Sequence, residues 1–319
     1  MTQHHETHRW TPRLSTTSEA ELVAGLAVGG SVALESLQVL RGRHMPALLD
    51  YARLCVSEER YAAQLCHQTL STAVRTAAAG RVRPGGVRHS LVLLLQQHAA
   101  EWADDERRQR LEPAFIRWLF ETGHGGAGHA AVGKHLLRAF WHLPQHEQEI
   151  LWYTEVEPGG TELAAVYAGI AETDLAYERD HALRALLRSY LQTYGASCDE
   201  PECRGYLRIL DAQARSARPE GVSPELDAHL SACVRCEHAL IELSTLYTAP
   251  RVALVPALIG YSGLRYAERV VPVHPPAGGQ DPANRHSATR RRAPALHVAL
   301  AVLVVALAVS VVLGMRASA

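Results

Sequence analysis

Three residues in the C-terminal third of the chain, His229, Cys233 and Cys236, form an H-x3-C-x2-C arrangement. Nothing else restricts the fold as tightly, because a shared metal ion would pin three side chains to one point. A helix over Leu226–Ala232 sets His229 and Cys233 four residues apart on one face, and the C-x2-C turn returns Cys236 to the same centre. Such a set needs a fourth donor for a closed tetrahedral shell. Cys203 is the preferred candidate, with 25 residues between it and His229; Cys198 is its rival. Cys203 opens the amphipathic stretch CRGYLRILDAQ, whose Leu207 and Leu210 can pack against Leu226 and Leu230. Thiolates with one imidazole select zinc over hard cations. One Zn2+, structural or redox-sensitive, is expected at Cys203, His229, Cys233 and Cys236.

The six cysteines could instead pair as disulfides in an exported protein. The first 40 residues, however, lack a basic start followed by an apolar core, so no signal peptide is expected. In a reducing compartment clustered cysteines are more often ligands. The net charge of −1 supplies no global field toward nucleic acid. Phosphate loops, GxSxG elbows and HExxH helices are absent from the sequence, and the expectation is that the chain is not an enzyme.

A second constraint lies at the C-terminus. Ala295–Met315 reads ALHVALAVLVVALAVSVVLGM, 21 residues without a formal charge. As a helix this spans about 30 Å, the thickness of a bilayer's hydrocarbon core. Arg290, Arg291 and Arg292 precede it, which predicts that residues 1–294 stay inside. The expectation is a single-pass protein of the cell (inner) membrane, its bulk cytoplasmic.

Helical periodicity runs through most of the chain and no long β-type alternation occurs, so the expected class is all-α. The expected segments are a disordered 1–20, a helical domain over 21–120, a glycine-rich linker over 121–133 and a second helical domain over 134–195. A zinc module follows over 196–247, then a linker over 248–294 and a transmembrane helix over 295–315. Within the second helical domain, Leu143-Pro144 enters a helix and the turn Pro158-Gly159-Gly160 precedes TELAAVYAGI. A long helix follows, with Leu183, Leu186, Leu187, Tyr190 and Leu191 at core spacing. Two helices joined at Gly169 fit a helix-turn-helix.

The C-x25-H-x3-C-x2-C spacing, over Cys198 to Tyr247, resembles the zinc-binding anti-sigma domain family. Leu143-Pro144, Glu155, Leu163-Ala164 and Gly169-Ile170 resemble region 4 of extracytoplasmic-function sigma factors. More faintly, the stretch from Arg43 through SEERYAAQLCHQTL resembles sigma region 2. These resemblances imply two sigma-like helical domains fused to a small zinc module. They imply a membrane-tethered transcription regulator whose partners are RNA polymerase core and promoter DNA, with DNA contacts at Tyr177, Arg179 and Arg184. The alternative they imply is an interaction protein that sequesters a separate sigma factor. One departure bears on the choice: the recognition helix sets Asp174, Glu178 and Asp180 against Arg179, Arg184 and Arg188, with no basic excess for phosphates.

Overall fold

A computed structural model describes residues 16–80, 86–122, 133–216 and 223–269. They form an all-α fold of 14 α-helices. The described residues contain no strand, only one bridge between Val56 and Leu111. In chain order the helices are α1 (Glu19–Val28), α2 (Gly30–Cys55), α3 (Glu59–Ala78), α4 (Val87–Ala103), α5 (Pro113–Thr122), α6 (Lys134–Trp141) and α7 (Gln145–Leu151). After α7 a π-helical turn covers Trp152–Val156. Then come α8 (Thr161–Ala168), α9 (Leu175–Ala196), α10 (Pro201–Ser216), α11 (Pro224–Ala232), α12 (Val234–Thr248), α13 (Pro250–Ile259) and α14 (Gly263–Arg269).

Local chemistry sets several boundaries. Ser18 and Glu21 close a reciprocal capping box at the start of α1, satisfying amide groups that have no intrahelical partner. Gly29 and Gly30, at φ 84° and 61°, reverse the chain into α2 in a backbone region other residues avoid. Pro144 precedes α7 in extended conformation, where its missing N–H costs nothing.

One continuous apolar core runs from Ala47 in α2 to Ala267 in α14 and includes the fully buried Trp102, Trp152, Tyr51, Tyr190, Tyr266 and Phe115. Helix α1 adds a small satellite cluster with α2 through Leu22, Leu26, Val39 and Leu40. A buried polar chain fastens α1 to this body. Tyr153 donates a 2.7 Å hydrogen bond to the Glu19 carboxylate, and His44 Nε2 lies 3.2 Å from it. Arg88 Nε donates to His44 Nδ1 at 2.8 Å, and its Nη1 pairs with Glu157 at 2.7 Å. Tyr266 donates to the other Glu157 oxygen. Burial holds His44 below its ordinary pKa despite the neighbouring Glu19. This agrees with a neutral ring that accepts at Nδ1.

Residues 250–269, assigned from sequence to a linker, are instead helices α13 and α14, with Leu254, Val255, Leu258 and Ile259 buried in the core. Side chains of the N-terminal half cap the last carbonyls of α13 and the turn after it. His89 Nε2 lies 3.0 Å from the Leu258 carbonyl, Gln96 donates to Ile259 at 2.5 Å and Tyr51 to Tyr261 at 3.1 Å. These bonds satisfy carbonyls that a helix end leaves orphaned, and the apolar face of α13 fills the gap between α4, α6 and the π-helical turn.

The expected membrane anchor needs correction. Ala295–Met315 lies outside the described residues, as do residues 1–15, most of 121–133 and 270–294. No helix among the described residues is long and apolar enough to cross a membrane. The apolar helix α13, for example, has ten residues, about 15 Å of helix against a hydrocarbon core of about 30 Å. The transmembrane helix, the membrane as a partner and the single-pass inner-membrane localisation therefore have no structural support.

Candidate metal centre

Helices α10, α11 and α12 bring Cys203, His229, Cys233 and Cys236 together, with all four ligand atoms within 4.8 Å of one another. Cys203 is the third residue of α10 and Cys236 the third of α12. Both sulfurs thus sit at helix N-termini, where the positive end of the peptide dipole favours thiolate. Ser223 caps α11 by accepting from the Leu226 amide at 3.2 Å, with Pro224 beginning the helix. Cys233, at φ −126° and ψ 92°, is the extended hinge between α11 and α12 and occupies the N-cap of α12. The i, i+4 relation to His229 therefore holds across a helix end rather than within one helix.

The donor types suit zinc, and their spacing approaches that of a zinc site without matching it at every pair. Zn–S bonds of about 2.3 Å and a Zn–N bond of about 2.0 Å place tetrahedral donor atoms roughly 3.5–3.8 Å apart. Cys203 and Cys233 sulfurs are 3.7 Å apart, and His229 Nε2 is 3.2 Å from the Cys236 sulfur. His229 thus presents Nε2 to the centre, while Nδ1 faces the Glu202 carboxylate at 3.8 Å. At that distance the exposed carboxylate makes no hydrogen bond to the ring, but it stands on the side where a ligating imidazole carries its N–H. The Tyr206 ring stacks on His229 with centroids 4.3 Å apart. Cys198, the rival fourth ligand, is outside the cluster and donates its thiol to the Tyr194 carbonyl at 3.3 Å.

The three thiols differ in their surroundings. Burial pushes Cys236 up to about 12 and raises Cys203 as well. Burial also acts on Cys233, but hydrogen bonds from the Cys236 amide and the Cys203 side chain outweigh it and leave that thiol below its ordinary value. The half-buried Cys233, held by amides at the start of α12, is the sulfur best prepared to ionise.

Two groups around the centre escaped sequence reasoning. Tyr194, 42 residues before Cys236 and on α9, donates to its sulfur at 3.2 Å. Arg235 donates to the Ser197 carbonyl and ties α12 to the end of α9. Neither has a local signal, since each contact joins segments that only the fold brings together. Tyr206 had one: it lies three residues after Cys203, on the same helical face.

The expected DNA-reading residues all lie on α9. Tyr177 and Arg184 are exposed on α9, but Arg179 is paired with Glu155 and Asp180. The buried face of α9 is consumed by packing on α6 and α7. The turn between α8 and α9 is itself covered: a Cβ on Gly169 would lie 2.8 Å from Ser18 Cβ at the start of α1. Tyr167 of α8 stacks edge-on with Tyr153 and lies under the Arg43 guanidinium. Helix α8 is therefore a packed strut of the body.

No family model matches the chain, and neither does any curated protein or solved structure. The likeness to a sigma factor fused to an anti-sigma domain is corrected accordingly. It rested on short motifs, and the helices carrying them share one core with α13 and α14. RNA polymerase core, promoter DNA and a separate sigma factor fall away as partners. An all-helical body with a Cys3His cluster remains.

Proposed function

We propose that the chain is a zinc-stabilised helical scaffold, in which one zinc ion at Cys203, His229, Cys233 and Cys236 fastens α10, α11 and α12 to one another. The observation that carries this reading is the convergence of three sulfurs and one imidazole within 4.8 Å. Four protein donors complete a tetrahedral shell, the pattern of structural rather than catalytic zinc, which keeps a position open for water or substrate. The site accordingly holds structure and does no chemistry, and the chain is not an enzyme.

Elemental analysis of the purified full-length chain tests this directly, with about one zinc per chain expected. The Cys233→Ser, Cys236→Ser double variant should carry none and should lose helical signal from the α10–α12 segment. Zinc retained by that variant, or none in the parent chain, would refute the site.

A further inference from the structure

Tyr194 belongs to α9, outside the metal-bearing helices, yet its hydroxyl donates to the Cys236 sulfur at 3.2 Å. Its ring is buried, packs edge-on against His135 at 5.4 Å between centroids and lies near-parallel to Tyr190. One turn earlier, Tyr190 donates to Glu242 of α12, and the other Glu242 oxygen accepts from the Gly133 amide at 2.6 Å. Helix α12 is thus held at two points by hydroxyls of one helix. Only one of those points is a candidate metal ligand.

A hydrogen bond to a thiolate withdraws electron density from sulfur and fixes the direction of its lone pairs. On a bound metal it lowers the sulfur's nucleophilicity and sets the orientation the metal requires. We propose that Tyr194 is a positioning residue of the metal centre, its hydroxyl tuning and orienting the Cys236 thiolate from the helical body. The inference rests on the zinc reading above. It adds that the body, and not the three metal-bearing helices alone, determines how the metal is held. Tyr190 supplies the internal comparison, since its hydroxyl makes the same kind of tie to α12 but ends on a carboxylate that is not a ligand.

The experiment compares the full chain with Tyr194→Phe and Tyr190→Phe after replacing zinc by Co2+, whose sulfur-to-metal charge-transfer bands report on the thiolates. Tyr194→Phe should move those bands to lower energy. It should weaken zinc about tenfold in competition with a chelator, and iodoacetamide should alkylate the zinc-loaded protein faster. Tyr190→Phe should leave the bands and the alkylation rate at parent values. Tyr194→Phe that lowers the melting temperature but leaves bands, affinity and alkylation unchanged would overturn the proposal, because Tyr194 would then only pack. The same holds if both variants shift the bands equally. A parent chain that yields no sulfur-to-cobalt bands would instead refute the zinc reading, which separates the two failures.

Discussion

Single side chains in this fold carry charge states that depend on where the backbone buries them. Glu149 is 2% exposed, and burial lifts its carboxyl to about 7, only partly relieved by the 2.8 Å bond from Gln145. Its folded-state pKa lies above the ordinary 4.5, so protonation favours the folded chain. Stability from this group is present below about pH 4.5 and lost as pH rises through about 7. Glu149→Gln should therefore raise the melting temperature at pH 8.5, by at most about 3 kcal/mol in stability, and have little effect at pH 4.5. Equal effects at both pH values in thermal melts would show that the carboxyl does not titrate in this window. Residue chemistry was legible in the sequence where spacing is local, as for His229, Cys233 and Cys236. It was not legible for Glu149, whose burial depends on how the start of α4, at Gly86, closes over it.

Between helices, the strongest ties are polar groups sealed inside the body. Arg88 at the start of α4 reaches His44 and the Arg43 carbonyl in α2 and Glu157 just past the π-helical turn. Removing one member of a buried ion pair leaves the other charged and unpaired, at a cost of about 3–5 kcal/mol. Arg88→Met should lose about that much in denaturant unfolding. The paired change Arg88→Met, Glu157→Gln should recover part of it, and no recovery would mean that the two side chains act independently. The helices themselves were readable from periodicity and glycine turns. The contacts between them were not, because Glu19, His44, Arg88 and Glu157 lie up to 138 positions apart in the sequence. For the same reason α8 and α9 read as a helix-turn-helix. Their pattern is local, while the packing of Ser18 against Gly169 and the pairing of Arg179 are set by distant segments.

Across the molecule, α13 and the helices α2 and α4 of the N-terminal half depend on one another. The carbonyls at the end of α13 are satisfied by His89, Gln96 and Tyr51, and α13 in return fills the centre of the core. Deleting residues 250–269 should broaden or abolish the cooperative thermal transition of the whole body, as followed by circular dichroism. A truncated chain that melts as sharply as the parent would show α13 and α14 to be dispensable. Their role was hidden in the sequence because a ten-residue helix with Pro256 inside it is too short for a membrane and falls within the stretch that reads as a linker. The position of the metal-bearing segment between α9 and α13 has a further result. Both of its ends are anchored in the core, so a chain stripped of metal keeps α10–α12 as a closed loop of about 48 residues rather than a loose tail. Closing a loop costs entropy that grows only with the logarithm of its length, and here the core has already closed it. Re-forming the centre is then a search within one tethered loop, at a rate that does not depend on protein concentration.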